Sequence, residues 1–214
     1  MKKVILFDLD GTLIDSTEAI LESFGVTFEA FGRQVPLASE ITKHIGHPLE
    51  SMFAALGIEE RAIDAHVSRY KEHYKEISKD KTILLPNAAE AVLLASEHAT
   101  LGVVTTKTGS YSKVLLEHLG LMDYFEVLIG REDVKYPKPH PEPILKAIKN
   151  LDVKNKENCW MIGDTCMDIQ AAKSAGIIGV AVTSGYATRE KLKECALEVY
   201  DDVLMALGAI VAKK

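Results

Sequence analysis

The sequence predicts an α/β fold in which a mainly parallel sheet is interrupted by a helical insertion after its first strand. Three observations carry this reading: short apolar runs that each end on a polar residue, segments of helical spacing that follow them, and one long stretch, residues 15–82, where the alternation stops. Unbroken apolar runs of this length suit strands buried on both faces, and strands alternating with helices build βαβ units.

In chain order, residues 4–7 form the first strand and stop at Asp8. Within residues 15–82, Phe24, Phe28 and Phe31, then Leu49, Phe53 and Leu56, recur at helical intervals with no strand between them. Residues 59–78 read as one long charged helix whose Val67, Tyr70 and Tyr74 form a stripe for packing. The edges of this stretch, Asp15-Ser16-Thr17 and Lys79-Asp80-Lys81-Thr82, are polar enough to be hinges. Two crossings make a lid, so the expected division is a core of residues 1–14 and 83–214 and a cap of residues 15–82. Residues 101–104 form the next strand, ending at Thr105, with Leu115, Leu116 and Leu119 helically spaced behind it. Residues 125–129 supply another. Residues 160–162 run into Gly163-Asp164, Ile169, Ala172 and Ala175 mark the following helix, and residues 177–182 are a further strand. Ligands of open α/β sheets bind outside the carboxyl ends of the strands, so Asp8, Thr105 and Asp164 are expected to converge on one crevice.

The 214 residues carry 25 Lys plus Arg against 31 Asp plus Glu, a net charge of −6, which repels polyanions and excludes nucleic acid as an expected partner. Hydrophobic residues, at 47%, supply a sizeable core. No run approaches the roughly 18 to 20 apolar residues of a membrane span, and Asp8 and Asp10 cut the first apolar run short of a signal-peptide core. Cys159, Cys166 and Cys195 are odd in number and lack Cys-x-x-Cys spacing, so they read as reduced thiols. The expectation is a soluble cytoplasmic protein, a monomer or homodimer, that engages neither membrane nor nucleic acid.

Asp8-Leu9-Asp10-Gly11-Thr12 is the most informative segment. Residues two apart on an extended chain point the same way, roughly 6 to 7 Å apart, and two neighbouring carboxylates repel unless a cation sits with them. Mg²⁺ suits such a site because it takes a few carboxylate oxygens together with water and phosphate. The alternative is a strand-end turn with solvated acids, with Gly11 permitting the turn. Asp164 and Asp168 repeat the theme at a second strand end; taken alone, Asp164 reads equally as a helix N-cap. A phosphate in so acidic a crevice also needs positive charge. Lys138, between Pro137 and Pro139, and Thr105, before a helix start at Gly109-Ser110, can supply it together with donors.

In order along the chain, Asp8-Leu9-Asp10-Gly11-Thr12, Thr105, Lys138 and Gly163-Asp164 with Asp168 resemble the four motifs of the haloacid dehalogenase superfamily. Leu101-Gly102-Val103-Val104-Thr105-Thr106-Lys107 and Lys138-Pro139-His140-Pro141-Glu142-Pro143 are more narrowly similar to its phosphoglycolate phosphatase group and to bacterial pyrophosphatases of that group. The resemblance implies a Rossmann-like core with an α-helical cap. It assigns Asp8 as nucleophile and Asp10 as general acid and then base. It gives Asp8, the main-chain carbonyl of Asp10, and Asp164 to Mg²⁺, with Asp168 close to that shell, and Thr105 and Lys138 to the phosphoryl oxygens. Thr106, Lys107 and the cap loop containing Gly46 and His47 become substrate-binding candidates, Lys107 reading equally as a solvated helix start.

His44 and His47 lack a third ligand for a metal, and Arg33, Arg61, Arg69, Arg131 and Arg189 carry no motif and read as surface residues. The implied activity is Mg²⁺-dependent hydrolysis of a small phosphorylated metabolite, phosphoglycolate first. Inorganic pyrophosphatase is the nearest rival. A sugar phosphomutase is disfavoured because this sequence has no arginine beside Gly46, and a non-catalytic phosphate-binding module would not need Asp10.

Overall fold

The computed structural model describes residues 3–212. The chain begins with β1 (Lys3–Phe7) and β2 (Ile14–Asp15), then runs through α1 (Thr17–Ala30), α2 (Ala38–Thr42), α3 (Leu49–Ala55) and α4 (Glu60–Ile77) to β3 (Ile83–Leu84). From there α5 (Ala88–His98), β4 (Ala99–Val104), α6 (Gly109–His118), β5 (Phe125–Ile129), α7 (Glu142–Asn150), β6 (Cys159–Gly163) and α8 (Cys166–Ala175) alternate. The chain closes with β7 (Ile178–Val182), α9 (Arg189–Lys193), β8 (Val199–Tyr200) and α10 (Val203–Ala212).

Six strands form one parallel sheet in the order β5-β4-β1-β6-β7-β8. Alternate residues of β1 serve opposite faces, as the strand period of two requires. Ile5 and Phe7 enter an apolar cluster with residues of α5, α6 and α10, while Val4 and Leu6 enter another with residues of α7 and α8. Burial on both faces is why the strands read as continuous apolar runs. The chain fills β4 and β5 on one side of β1 and then crosses back to β6, so the strand order reverses at β1. Such a reversal opens a crevice at the carboxyl ends of the adjoining strands. Phe7 is level with Val103 of β4 and Ile162 of β6, which brings the residues beyond all three strands to that crevice.

Helices α1 to α4 gather around an apolar cluster of their own, in which the Phe24 ring lies 4.7 Å from Phe53 and 5.0 Å from Tyr70 between centroids. Both crossings to this helical unit pass through a two-stranded antiparallel ribbon that pairs Ile14 with Leu84 and Asp15 with Ile83. The strands are too short to show any periodicity. Phe31, expected on one stripe with Phe24 and Phe28, lies past the end of α1 and is 43% exposed, stacked on His66 with ring centroids 4.0 Å apart.

The cysteine reading requires correction. Cys166 at the start of α8 and Cys195 just after α9 form a disulfide, with Cα atoms 5.8 Å apart; Cys159, buried in β6, is free. Leu192 of α9 packs with Ile169 and Ala181, and this apolar contact carries Cys195 to α8 from 29 residues away in sequence. Spacing rules for adjacent cysteines do not register such a contact. No helix among the described residues is long and apolar enough to cross a membrane.

Candidate active site

Beyond β1 the main chain continues the ladder for one residue, Asp8 N–H donating to Ile162 O at 2.9 Å, and then turns back with the amides of Leu13 and Ile14 both donating to Leu9 O. Gly11 sits in this turn at φ +82°, and a Cβ there would stand 2.4 Å from Asp164 Oδ2. Glycine therefore allows both the turn and the approach of β1's end to β6's end. Gly185 does the same from the loop after β7, where a Cβ would stand 2.1 Å from Asp164 Oδ2. That close approach lets the Tyr186 N–H donate to Asp164 Oδ2 at 2.8 Å.

Asp8, Asp164 and Asp168 are buried and each offers a carboxylate oxygen within 4.8 Å of the others. Lys138, also buried, stands among them: its Nζ lies 2.8 Å from Asp8 Oδ1, 2.5 Å from Asp168 Oδ1 and 2.9 Å from Val104 O. Burial works against the lysine's charge, but Asp168 and Asp8 outweigh it and raise its pKa above the ordinary lysine value. Burial pushes the Asp8 carboxyl up to about 7, with Asp168 adding to the rise and Lys138 opposing it. Burial, then Asp8 and Asp168, push Asp164 well above its ordinary value. Three buried carboxylates thus face one ammonium, and Asp164 Oδ1 has no hydrogen-bond donor among the described residues. Hard oxygen donors with uncompensated negative charge fit a divalent cation such as Mg²⁺.

The three acids are not equivalent. Asp168 Oδ2 accepts from Thr165 N at 3.1 Å and Thr165 Oγ1 at 2.6 Å, so it closes a capping box at the start of α8, while Oδ1 binds Lys138. The N-cap is Thr165, which replaces the alternative reading of Asp164 as a cap. Asp164 precedes the helix, and its buried Oδ1 has no donor among the described residues.

The Asp10 side chain does not join the cluster of Asp8, Asp164 and Asp168, contrary to the expectation from two-residue spacing. Asp10 Oδ1 accepts from Lys107 Nζ at 3.0 Å and from Ser16 Oγ. The chain leaves the strand at Asp8 and turns from Leu9, whose carbonyl accepts the amides of Leu13 and Ile14, so the extended geometry on which the expectation depended ends before Asp10.

Thr105 is buried after β4, its Oγ1 accepting from Lys107 N–H at 3.1 Å. Thr106 Oγ1 donates to Gly46 O of the helical unit at 2.6 Å, and a Cβ on Gly46, whose φ is +99°, would meet Met167 and Thr165 at 3.2 Å. The Gly46 loop is thus seated on the sheet's crevice. Between the two units lies a cavity of about 50 Å³, bounded by Asp10, Lys107, His47, Tyr74, Glu50 and Arg131 among others, with room for only a few water-sized groups. The Lys107 side chain is only 11% exposed, and Asp10 first and then Tyr74 and Tyr70 hold it protonated against that shielding; its Nζ is 4.6 Å from the Tyr74 ring centroid. This decides against a solvated helix start.

The structure brings together Asp8, Asp164, Asp168 and Lys138, and beside them Asp10, Thr105, Thr106, Lys107, Gly46 and His47. His47 is exposed, with its Nδ1 3.1 Å from His44 O. Sequence reasoning missed Ser16, Tyr186, Glu50 and Arg131. Arg131 follows β5 as Thr105 follows β4, so the strand-end rule applied to β5 could have found it. Tyr70 and Tyr74, expected as a packing stripe, are buried and also line the cavity.

A family model described as haloacid dehalogenase-like hydrolase matches residues 5–182. A Clostridium perfringens protein with a pyrophosphatase name is 33% identical, the match covering 100% of this chain and 99% of that protein. A phosphoglycolate phosphatase of Salmonella typhimurium is 31% identical over 95% of this chain and 92% of its own length. Among solved structures, a Bacteroides fragilis protein described as a haloacid dehalogenase-like hydrolase superimposes with a TM-score of 0.90 at 27% identity, covering 96% of this chain and 99% of that one.

Proposed function

Because the chain belongs to the haloacid dehalogenase-like hydrolase family, we propose that it is a Mg²⁺-dependent phosphatase that hydrolyses a small phosphomonoester through an aspartyl-phosphate on Asp8. The observation that carries this reading is the separation of two buried carboxylates: Asp8 beside Lys138 in the acidic trio, and Asp10 held by Lys107 and Ser16 at the cavity. Two-step displacement needs one carboxylate kept ionised for attack and another free to carry a proton.

An Asp8 oxygen bonds to phosphorus as the phosphorus–ester oxygen bond breaks, and Asp10 gives its proton to the departing oxygen. Water then attacks the aspartyl-phosphate, Asp10 takes up the water's proton, and phosphate leaves with Asp8 restored. Asp8 and Asp164, with the Asp10 carbonyl, would hold Mg²⁺, which when bound offsets the charge of the trio and of the phosphoryl group. Asp168 fixes Lys138 in place. Lys138 and the Thr105 hydroxyl steady the transferring oxygens.

The Salmonella relative's name makes phosphoglycolate the first candidate substrate. Pyrophosphate is the second, supported by the Clostridium relative's name and by Lys107 and Arg131 on the cavity. The expectation of a cytoplasmic location loses the support it drew from reduced cysteines. The test is release of inorganic phosphate from a panel of phosphorylated metabolites, pyrophosphate and p-nitrophenyl phosphate with Mg²⁺. No release from any of them sinks the reading.

A further inference from the structure

Arg131 begins the short turn after β5, and its N–H donates to Lys107 O at 2.9 Å, so its backbone moves with the loop that carries Lys107. Its Nη1 donates to Val134 O at 3.1 Å. Its Nε turns instead to the helical unit, where Glu50 Oε2 of α3 stands 3.9 Å away. That is beyond hydrogen-bonding reach. Both atoms are shielded from solvent, and neither has a hydrogen-bond partner among the described residues. The pair attracts across the cavity without forming a bond, which leaves a buried donor open to a better-placed acceptor.

The other cations of the site are committed differently. Lys138 is enclosed by Asp8 and Asp168, and Lys107 is engaged by Asp10 and the Tyr74 ring. Lys71 of α4 adds positive charge to the cavity lining. A guanidinium is suited to carboxylate and phosphate oxygens because its N–H groups form a planar fork. The cavity itself has room only for a short group.

We propose that Arg131 is a specificity-determining residue that binds a second anionic group of the substrate, a carboxylate or second phosphate remote from the transferred phosphoryl, and that Glu50 is the internal anion which this group displaces. This deepens the phosphatase reading and rests on it. A substrate with a neutral tail leaves Glu50 facing Arg131. A substrate with an anionic tail takes the guanidinium for itself, and the Glu50 carboxylate opposes its entry.

The two partners therefore have opposite effects, which a merely structural ion pair would not show. The test compares kcat/KM of the full chain with Mg²⁺ for phosphoglycolate, pyrophosphate and ethyl phosphate. Arg131→Gln lowers the ratio of the better anionic substrate to ethyl phosphate by roughly 10- to 100-fold, the range for a lost charge-assisted contact. Glu50→Gln raises the same ratio. Which substrate loses more in Arg131→Gln tells carboxylate from phosphate. If both variants leave the ratio unchanged, or both lower it, the pair is a latch between the two units and the proposal fails.

Binding without turnover separates this proposal from the reading beneath it. In Asp8→Asn, phosphoglycolate or pyrophosphate raises the melting temperature more than ethyl phosphate does, and adding Arg131→Gln removes the difference. An Arg131-dependent shift in a protein whose unmutated form releases no phosphate overturns the phosphatase reading and leaves the subsite standing. Equal shifts with all three ligands overturn the subsite.

Discussion

Lys107 Nζ donates to Asp10 Oδ1 at 3.0 Å while lying 4.6 Å from the centre of the Tyr74 ring, so one ammonium joins the proposed general acid to the helical unit that covers it. If Lys107 acts through Asp10, its loss should matter most where a leaving group needs a proton. Lys107→Met should lower kcat for an alkyl phosphate more than for p-nitrophenyl phosphate, whose leaving group hardly needs one. Asp10→Asn should cost about 10²- to 10⁴-fold on the alkyl ester, and adding Lys107→Met should cost little more. Full additivity in the double variant would assign Lys107 a separate task.

The two carboxylates should also separate in a trapping experiment. With labelled p-nitrophenyl phosphate and acid quenching, Asp10→Asn should accumulate a covalent phosphoenzyme, because attack by Asp8 survives while water loses its base. Asp8→Asn should accumulate none. Label on the Asp8 variant would move the nucleophile elsewhere.

The acidic trio makes a prediction about pH that needs no turnover. Burial raises the Asp8 carboxyl to about 7, so between about pH 4 and 7 the metal-free folded chain keeps a proton that the unfolded chain has released. Its stability should therefore fall as pH rises through that window. Mg²⁺ must displace the same proton, so its increment in melting temperature should be larger at pH 8 than at pH 5. Asp164→Asn should abolish the increment without lowering the metal-free melting temperature at pH 8, since it replaces a buried carboxyl whose charged form burial, Asp8 and Asp168 already disfavour. Chelation should stop hydrolysis and Mg²⁺ restore it. A Mg²⁺ increment independent of pH would show that the cation binds elsewhere.

Gly11 offers a steric test of how the strand ends meet. A Cβ at φ +82° costs about 1 to 2 kcal/mol in backbone strain alone. It would also displace the Asp164 carboxylate, 2.4 Å away. Gly11→Ala should lower the melting temperature and weaken the Mg²⁺ response together, as calorimetry with and without the cation can measure. Gly32→Ala, also at positive φ but with nothing within 4 Å of its Cβ, should lower stability and leave the Mg²⁺ response intact.

Local pattern was enough to identify β1, β4, β5, β6 and β7, the helical stretch between residues 15 and 82, and the acids at the strand ends, but not the two-residue strands β2, β3 and β8. An apolar run buried on both faces, a helical period and a glycine after an Asp-x-Asp pair are constraints that act over a few residues, and they leave their mark there. Asp8, Thr105 and Asp164 converge as expected because the sheet's order brings the ends of β1, β4 and β6 together.

What each acid touches is decided by contacts between segments distant in the chain. Asp168 meets Lys138 from 30 residues away, Lys107 meets Asp10 from 97 away, and the Tyr186 amide reaches Asp164 because Gly185 lets the backbone close in. Arg131 had no motif around it, and Glu50 faces it only because α3 is folded over the sheet. Likewise Cys166 and Cys195 pair because the packing of α9 carries one to the other. Charge, room and hydrogen-bond partners belong to the assembled crevice, where burial turns an ordinary carboxylate or guanidinium into a group that needs a ligand. The sequence specifies which residues stand at the strand ends, but only packing determines which of their atoms are left unsatisfied.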